Sequence, residues 1–419
     1  MSVDRKVPEI RAKEFSKEWE QLSFLDSIEH IIDFRGRTPK KLGLDWSPSG
    51  YRALSALNVK QGYIDFLIDP HFGDQELYDK WMSGSELHQG QVLFTTEAPM
   101  GNVAQVPNTD KYILSQRTIA FIVKSEIIVE DFLAVLLRSS KVFRELSALS
   151  SGGTAKGVSQ KVLANLSVSV PKDLAEQATI GNFFQKLDYL INQHQQKHDK
   201  LSNIKKAMLE KMFPKQGETM PEIRFKGFSG EWESKVLGSV SSFYKGKGLP
   251  KSSIQENSVY PCIHYGELFT KYSEVIEVVT SRTNQKDNFF SISNDVLMPT
   301  SDVTPKGLVK SCCVKQNGVV LGGDILIIRP NGQNVIDGAF LSRFIRTREQ
   351  QVLQNVTGST VFHLYASSIE NLNIVFPSIK EQTAIGNYFQ KLDNLINQHQ
   401  QQITRLNNIK QACLSKMFV

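Results

Sequence analysis

The chain contains one long segment that occurs twice. Residues 176–213 and 381–418 are identical at about 26 of 38 aligned positions, and the two copies lie about 205 residues apart. This period is far too long for a solenoid, in which each repeat spans a few tens of residues. The sequence therefore predicts a pseudo-symmetric molecule that performs one task twice.

Mainly apolar residues recur in both copies at alternating steps of four and three. A strict seven-residue repeat of this kind predicts a coiled-coil seam. We therefore expect two long helices, over 176–213 and 381–418, each about 57 Å long, that pair with one another. The repeat runs through Ile180, Phe184, Leu187, Ile191, His194, His198, Leu201, Lys205, Met208 and Met212, and through Ile385, Phe389, Leu392, Ile396, His399, Ile403, Leu406, Lys410, Cys413 and Met417.

His194 and His399 occupy equivalent positions in this repeat. Histidine is a common metal ligand and titrates near neutral pH. However, no Cys, Asp or second His recurs in both copies at ligand spacing. A polar layer that fixes helix register is favoured, and no metal site is predicted.

Polar positions of the long segment are repeated as faithfully as the apolar ones. A seam that only closed a helical bundle would fix the size and hydrophobicity of its core and leave surface residues free to differ. The repeated polar residues therefore favour a single kind of protein partner, bound at two places. The candidates for this contact are Asn182, Gln185, Lys186 and Asp188, with Asn387, Gln390, Lys391 and Asp393.

A second repeated segment precedes each domain. Residues from Val7 match residues from Met220, with Pro8, Arg11, Phe15 and Trp19 aligned with Pro221, Arg224, Phe228 and Trp232. In the middle of the chain this segment follows the first long helix directly, whereas the second helix is followed by Val419 alone. The N-terminal segment thus continues the C-terminal helix in a cyclic repeat order. We expect antiparallel helices, a pseudo-two-fold axis and neighbouring termini.

Two divergent regions of ordinary domain size separate the repeated segments. Each contains strand-like runs (91–96 and 120–124; 295–300 and 324–330), a helical stretch from Phe132 or Phe340, and an alternating strand that ends at Pro171 or Pro377. The predicted fold class is α+β, with two mixed α/β domains separated by two long antiparallel coiled-coil helices. The predicted boundaries are 1–20, 21–167, 168–235, 236–373 and 374–419.

A basic turn occurs at the same place in both divergent regions. Glycine between cations allows a close backbone approach, and the cations and free amides suit phosphate oxygens. A solvated surface hairpin has the same appearance, but its recurrence in both regions favours contact with a nucleic-acid backbone. The candidates are Arg35, Gly36, Arg37 and Lys40, with Lys245, Gly246, Lys247 and Lys251.

Composition is compatible with this interpretation and excludes several other classes. A net charge of +6 and a pI near 8.9 permit phosphate binding. Four cysteines without a CxxC pair indicate a reducing cytoplasm, with neither disulfides nor zinc. We expect no signal peptide and no membrane span, because no apolar run approaches the length of a span. We also expect no catalytic residues, because no P-loop, methyltransferase tetrapeptide or GxSxG elbow occurs. The Gly-rich run 150–159 is interpreted as a flexible loop.

The paired motifs together resemble the specificity subunit of type I DNA restriction and modification systems. The resemblance covers nearly the whole chain. One departure is an extra residue between Pro171 and Gln177, which we place in the loop before the helix. The motifs are Pro171 and Pro377, Glu176-Gln177 and Glu381-Gln382, Leu187-Asp188 and Leu392-Asp393, Leu190-Ile191 and Leu395-Ile396, and the segment from Pro221 to Glu233.

The resemblance implies a non-catalytic protein that reads a bipartite, asymmetric site on double-stranded DNA. Each divergent region would be a target recognition domain for one half-site. The near-identical helices would hold two modification subunits, which carry an S-adenosylmethionine-dependent adenine methyltransferase. Two restriction subunits would add ATP- and Mg-dependent translocation and cleavage. No cofactor is expected on this chain itself.

The residues that would read bases are expected in loops that differ between the two domains. The first-domain candidates are Arg52, Asn58, Lys60, His71, Thr95 and Gln116, and the second-domain candidates are His264, Tyr265, Thr300, Ser301 and Lys306. Two alternatives remain open from the residues alone. One is a coiled-coil adaptor whose globular domains bind proteins, and the other, a weaker one, is a nuclease hidden in either divergent region.

Overall fold

The computed structural model describes residues 7–150, 157–285, 288–332 and 335–419. It divides into two compact units, one formed by Met1–Gln195 with Gln400–Val419 and the other by Gln196–His399. Most of the Gly-rich run predicted as a loop, residues 151–156, lies outside the described residues. Each unit therefore combines one divergent region with parts of both long helices.

The strands of the first unit are β1 Glu20–Ser23, β2 Ile28–Asp33, β3 Tyr51–Leu54, β4 Phe72–Gly73, β5 Val92–Thr95, β6 Val103–Gln105, β7 Tyr112–Leu114, β8 Thr118–Val123 and β9 Ser167–Val170. They form a four-stranded antiparallel sheet in the order β2-β8-β5-β6, a three-stranded sheet β4-β3-β7 in which β3 and β7 are parallel, and the antiparallel pair β1-β9. The helices of the first unit are α1 Gln75–Met82, α2 Glu130–Arg138, α3 Ser140–Leu149, α4 Gln160–Ala164 and the start of α5 Leu174–Lys211, with 3₁₀ turns Phe24–Ser27 and Pro39–Leu42.

The second unit repeats this plan with additional short strands. Its strands are β10 Glu233–Val236, β11 Ser241–Lys245, β12 Tyr260–Ile263, β13 Val275–Ile276, β14 Arg282–Thr283, β15 Phe289–Phe290, β16 Asp295–Pro299, β17 Ser301–Asp302, β18 Cys312–Val314, β19 Val320–Leu321, β20 Ile325–Pro330, β21 Phe362–His363 and β22 Asn373–Phe376. The five-stranded sheet has the order β11-β20-β16-β18-β13, the four-stranded sheet has the order β14-β12-β19-β15, and two further pairs are β10-β22 and β17-β21. The helices of the second unit are α6 Leu237–Val240, α7 Glu267–Thr270, α8 Gly338–Thr347, α9 Glu349–Leu353, α10 Ala366–Ile369 and α11 Ile379–Lys416, with 3₁₀ turns Lys251–Ser253 and Pro305–Val309.

The central strands β5 and β16 are buried along their whole length and mainly apolar, because both faces of each sheet are covered. Successive strand residues point to opposite faces. In β5, Val92 and Phe94 enter the core that contains the long helices, whereas Leu93 enters a second core around Trp81. In the second unit, Val296 and Leu297 of β16 divide between two cores in the same way. The predicted strands and mixed sheets are thereby confirmed.

The two long helices begin and end two residues earlier than the sequence predicted. The main-chain N–H of Ala175 donates to the side chain of Asp173 at 2.9 Å, which caps α5 before Glu176. Pro214 disfavours helical backbone at the preceding residue, and α5 ends at Lys211. The extra residue of the first copy lies before Leu174, as predicted, so the helix register is unaffected.

In each unit the first half of one long helix packs against the second half of the other. Asp188 of α5 binds Lys410 of α11 in the first unit, and Asp393 of α11 binds Lys205 of α5 in the second. Phe184 packs on Phe418 in the first unit and Phe389 on Phe213 in the second, so with these ion pairs the helices run antiparallel within each unit. Among the described residues, no helix combines the length and the apolar character that crossing a lipid bilayer requires.

The repeated segments continue the helices in the predicted cyclic order. The N–H of Ile10 donates to the carbonyl of Lys416 at 3.1 Å, and in the second unit the N–H of Ile223 donates to the carbonyl of Lys211 at 2.8 Å. The first contact is made across the chain ends and the second along the continuous chain. The expected proximity of the two ends is confirmed for Ile10 and Lys416.

Candidate nucleic-acid interface and helix surfaces

A buried glutamate at the start of each long helix holds the repeated N-terminal segment. Glu176 is 2% exposed and receives Arg11 Nε at 2.6 Å and Trp19 Nε1 at 3.1 Å. Glu381 receives Arg224 Nε at 2.6 Å in the second unit. Burial of a carboxylate is tolerated when a guanidinium pairs with it in this way. The repeated Glu therefore positions each helix start against its segment.

The glutamine that follows the glutamate joins the helix to its domain. Gln177 accepts from the N–H of Val129 and donates to the carbonyls of Ile127 and Pro171. Gln382 makes the equivalent set with Asp337, Val335 and Pro377. Because both amide groups are buried with their hydrogen bonds made, the Glu-Gln pair has a structural role in both copies.

Asp188 links three elements of the first unit. Its carboxylate accepts from Arg138 Nη1 of α2 at 2.8 Å and from Lys410 Nζ of α11 at 2.6 Å. The domain helix and both long helices are thus joined at one residue. Asp188 thus has an internal role, while its side chain is 24% exposed and the predicted partner contact stays a prediction.

Asp393 has the same role in the second unit. It accepts from Arg343 Nη2 of α8 at 3.1 Å and from Lys205 Nζ of α5 at 2.6 Å. Asp393 is 9% exposed and Arg343 is 1% exposed, so the carboxylate is not available on the surface. For Asp393 an internal contact therefore replaces the predicted partner contact and explains why the aspartate is repeated.

The other predicted partner residues lie on the outer face of the helices. Asn182, Lys186, Asn387 and Lys391 are exposed. Gln185 donates to Asp131 at 2.6 Å and Gln390 to Glu277 at 3.3 Å, so these two side chains also contact their own domains. The four exposed residues are therefore the leading candidates for a partner surface, and the partner contacts of Gln185 and Gln390 stay predictions.

The loops of the first domain enclose an open cleft of about 450 Å³. The connections that follow β2, β3, β5 and β7 all contribute to it, together with the segment before β4. Its walls include Trp46 and Trp81, whose rings lie 5.6 Å apart, and His71, whose ring lies 5.3 Å from that of Trp46. Of the predicted DNA contacts, the cleft brings together Lys40, His71 and Gln116.

The basic turn of the first domain is partly neutralised by its own neighbours. Arg35 Nε lies 2.8 Å from a carboxylate oxygen of Asp33. Arg37 donates to the carbonyl of Trp81, and its guanidinium lies 4.2 Å above the ring of Phe34. Both arginines therefore shape the turn, while Lys40 is exposed at the rim of the cleft.

Gly36 and Gly246 serve different purposes. Gly36 has φ +83° in a turn with open space around it, a conformation that favours glycine. Gly246 continues the sheet edge after β11, where a Cβ would clash with the carbonyl of Gly322. The close approach at Gly246 is thus to the protein's own backbone.

The cations beside Gly246 lie at the surface. Lys245 is 3.9 Å from Asp324, and its side chain is 69% exposed. Lys247 and Lys251 are also exposed. These exposed lysines lie at the position equivalent to the first basic turn. Their contact with phosphate stays a prediction.

Two of the predicted base-reading residues of the first domain are buried. Asn58 is 0% exposed and bonds to the main chain of Ser55 and Ala53. Thr95 is 0% exposed and bonds to Pro99 and Asn102. The structure therefore corrects the prediction for Asn58 and Thr95, because both side chains fix loop conformation and neither reaches the surface.

The remaining first-domain candidates are partly accessible. Arg52 donates to the carbonyl of Phe66 at 2.6 Å and lies between the rings of Phe66 and Phe72. Gln116 donates to the carbonyl of Arg37 at 2.6 Å, which ties the basic turn to the cleft. Lys60 is half-buried.

The second-domain candidates lie in the equivalent connections, after β12 and β16. His264 and Tyr265 are half-buried, with ring centroids 4.7 Å apart. Ser301 bonds to His363 at 3.1 Å, and the Thr300 hydroxyl is buried beside it. Lys306 is 79% exposed and lies 3.2 Å from Glu349.

Sequence reasoning missed most of the residues that line the cleft, among them two tryptophans and an aspartate. Trp46, Asp69 and Trp81 line it, and Asp69 lies 2.7 Å from His71 Nδ1. A tryptophan in a loop rich in Pro, Gly and Asp is a usable signal, because large aromatic residues are enriched at binding surfaces. Asp69 gave no signal, since its left-handed backbone (φ 53°) appears only in the structure.

The cysteines offer no reactive site. All four are free and buried, and burial raises the pKa of Cys312 to about 11 and that of Cys313 to about 12. A thiol with so high a pKa is protonated at neutral pH and is a poor nucleophile. In the described residues, no group of three His, Cys, Asp or Glu side chains could hold a metal ion.

Comparison with known proteins decides the family. A family model described as the type I restriction modification DNA specificity domain matches residues 17–203 and again residues 229–408, which together make up most of the chain. The chain belongs to this family. Each match begins near a repeated N-terminal segment and ends within a long helix, so the family unit is the sequence repeat itself.

Named relatives of this specificity family extend over nearly the same length. The MjaIX specificity subunit of Methanocaldococcus jannaschii is 22% identical, with 82% of this chain and 81% of the relative covered. The MjaVIII specificity subunit of the same organism is 20% identical, with 91% and 87% covered. A crystal structure of the type I restriction-modification S subunit from M. genitalium has a TM-score of 0.61 at 14% identity, with 99% of both chains covered, which shows that the fold is shared.

Family membership gives the chain its general role. It is a DNA-recognition component of a type I restriction-modification complex and not one of the catalytic subunits. The two α/β domains are therefore target recognition domains. The loops that enclose the cleft of the first domain, and their equivalents in the second, are the candidate DNA-reading surfaces of this specificity protein.

Proposed function

We propose that the two recognition domains read the two different halves of a bipartite, asymmetric site on double-stranded DNA. One observation carries the proposal. The framework contacts made by Glu176, Gln177 and Asp188 recur in the second unit, whereas the loops that they support carry different polar residues. A repeated framework with divergent loops is what two readers of different half-sites require.

Phosphate contact is assigned to the exposed lysines of the basic turns. Lys40 lies at the rim of the first cleft, and Lys245, Lys247 and Lys251 are exposed in the second domain. Lysines that neutralise phosphates give affinity and orientation, whereas base edges give sequence. In the first domain, Gln116 is the leading candidate for a base contact, because its Oε1 stays available and glutamine pairs with adenine in the major groove.

The repeated outer faces of the helices support a contact with two modification subunits. Asn182 and Lys186 in the first unit, and Asn387 and Lys391 in the second, present the same exposed residues twice. Two copies of one adenine methyltransferase subunit would bind there, and two restriction subunits would join the complex. S-adenosylmethionine, ATP and Mg²⁺ would be used by those subunits.

Sequencing of methylated adenines in the host genome, with and without this gene, tests the bipartite site. We expect a set of methylated sites that requires the gene and shares two short sequences separated by a gap of fixed length. Loss of methylation at one uninterrupted motif would contradict two separate readers. Unchanged methylation would contradict the proposed role in modification.

The mass of the complex tests the partner stoichiometry. Co-expression with the modification subunit of the same gene cluster should give one copy of this chain with two partners. Replacing Lys186 and Lys391 by Glu together should weaken both sites, and each single replacement should weaken one. A complex that stays at one-to-one under excess partner would rule out two equivalent helix surfaces.

A further inference from the structure

An apolar cavity of about 230 Å³ lies beside the start of α5, wholly within the first unit. The repeated N-terminal segment, α5 and the end of α11 form its walls. We call it the Ala12 pocket; its lining residues include Ile10, Ala12, Phe15, Phe183, Cys413 and Met417. Ile10 is 40% exposed and Phe183 is 39% exposed, so apolar surface of the pocket and its rim is open to solvent.

The second unit fills the equivalent place with its own side chains. Phe225 stands where the first unit has Ala12, and its ring packs on Tyr388, the equivalent of Phe183, at 5.7 Å. Met208 stands where the first unit has Cys413. Phe225, Met208 and Tyr388 all pack against the main core of the second unit. The first unit thus carries a smaller residue at two positions of one pocket.

The missing volume corresponds to an aromatic ring. An apolar cavity of about 150 Å³ already accepts benzene, and the Ala12 pocket is larger than this. Phe225 provides the internal comparison, because the same chain places a phenylalanine on the same repeated framework. The chemistry of the pocket therefore selects an aromatic side chain, without a charged group.

Arg11, which also lines the pocket, differs from its equivalent in hydrogen bonding. Arg224 uses all three guanidinium nitrogens, on Glu381 and on the carbonyl of Gly230. Arg11 uses Nε and Nη2, and its Nη1 is buried without a partner. The unpaired nitrogen lies inside the wall, so the wall offers an occupant of the pocket an almost wholly apolar surface.

The pocket is continuous with the repeated outer face of α5. Phe183 lies beside Asn182 in sequence and three residues before Lys186, so Phe183 and Lys186 lie on one helix face. A protein bound to Asn182 and Lys186 would therefore reach the pocket. The equivalent face of α11, at Asn387 and Lys391, adjoins a place that Phe225 already fills.

We propose that the Ala12 pocket receives an aromatic side chain of one modification subunit, and that the two modification subunits are therefore bound unequally. The inference rests on the proposed function, since it takes the two helix faces as partner sites. The partner at the first unit buries its aromatic residue in the pocket. The partner at the second unit meets Phe225 instead and leaves the same residue at the surface.

Ala12→Phe tests this assignment by filling the pocket from within. The free chain should melt at a higher temperature, because the new ring buries apolar surface as Phe225 does. Calorimetry and native mass spectrometry would measure the two steps in which purified modification subunit binds. The affinity of one step should fall roughly ten- to hundredfold, and the affinity of the other should be unchanged. Ala12→Leu should give a smaller change in the same direction and replaces the Phe variant if that chain misfolds. Lys13→Ala, an exposed neighbour, is the control and should alter neither step.

The outcomes separate this inference from the proposed function. If the unaltered chain does not bind two modification subunits, the proposed function fails. If it binds two and Ala12→Phe binds both with unchanged affinity, the pocket assignment fails and the proposed function stands. Two other occupants would also overturn it. If the chain's own start fills the pocket, removal of residues 2–6 would lower the melting temperature, and Ala12→Phe would restore it. If a second copy of the chain fills the pocket, the free chain would form a dimer, and Ala12→Phe would dissociate that dimer.

Discussion

At the scale of single residues, identity between the two copies has two distinct causes. Asp188 and Asp393 are repeated because each joins a domain helix to both long helices. Lys186 and Lys391 are repeated although both are exposed. Sequence alone gives the four positions the same weight. Only the positions of Arg138 and Arg343 separate a structural carboxylate from a surface candidate.

Removing the Asp393 carboxylate should destabilise the second unit strongly. In Asp393→Ala, the fully buried guanidinium of Arg343 loses its charged partner, and breaking a buried pair in this way costs about 3–5 kcal/mol. Hydrogen exchange should show faster opening of α8 and of the second half of α5. Lys391→Ala, on the exposed side of the same helix turn, is the control; an equal effect of both variants would show that the ion pair is not the cause.

Glu274 gives the second unit a defined dependence on pH. Burial alone would raise the pKa of Glu274, but Arg346 and Lys205, whose nitrogens lie 3.2 and 3.0 Å from its carboxylate, together outweigh burial and lower the pKa to about 2. A carboxylate with a lowered folded-state pKa stabilises the fold above its unfolded pKa. This stabilisation is lost as the pH falls from about 4.5 to about 2.

Urea denaturation at several pH values tests this assignment with Glu274→Gln. Near neutral pH, the free energy of unfolding of the unaltered chain should exceed that of the variant by about 3 kcal/mol. This difference should shrink towards zero near pH 2. Glu256→Gln changes an exposed carboxylate of the same unit and is the matched control. A difference for Glu274→Gln that stays constant down to pH 2 would contradict the ion pairs as its source.

At the scale of elements, periodicity predicted most of the fold. The heptad pattern located both long helices to within two residues at each end, because a seven-residue apolar repeat has few other solutions. The runs of β5 and β16 were recognised as strands because they are short and mainly apolar. The exact helix starts were not, since they depend on the cap made by Asp173 and on local main-chain hydrogen bonds.

The basic turns show where a sequence pattern stops being informative. Arg-Gly-Arg and Lys-Gly-Lys look equivalent, yet the first is a turn around Gly36 and the second a sheet edge packed on Gly322. Arg35 forms an ion pair with Asp33, and the Arg-Gly-Arg pattern does not include this carboxylate. Which cation points outward is a property of the folded loops, and the sequence pattern does not determine it.

The two turns should contribute to DNA affinity through different residues. Lys40→Ala and Lys251→Ala should each weaken binding to all sequences and reduce the salt slope by about one, with the methylated motif unchanged. Arg37→Ala should instead lower the melting temperature, because Arg37 bonds to the carbonyl of Trp81 and packs over Phe34. Binding titrations against salt, together with melting curves, separate the two effects. A changed motif in the lysine variants would mean that these residues read bases.

At the scale of the whole molecule, the cyclic order of the repeats was visible in the sequence and is seen in a main-chain hydrogen bond between the two ends. Ile10 meets Lys416 across the chain ends as Ile223 meets Lys211 along the chain. The division of the cores was not visible. Each unit has its own hydrophobic clusters, and the C-terminal Phe418 packs with Trp19 in the first unit as Phe213 packs with Trp232 in the second.

This separation of cores predicts that recognition is modular. Replacing residues 21–167 by the corresponding region of a relative should change one half of the methylated motif and leave the other half and the gap unchanged. The exchange keeps Arg11, Trp19 and Glu176, so the new domain would meet the same helix start. It must also supply the arginine equivalent to Arg138, which pairs with Asp188. A donor region without this arginine should fold less stably, and restoring the arginine should recover its stability.

Sequencing of methylated adenines in cells that carry the exchanged gene measures the result directly. The reciprocal exchange of residues 236–373 should alter only the other half of the motif. A change in both halves after a single exchange would show that the two readers are energetically coupled, since domains with independent cores and independent DNA surfaces contribute additively to binding.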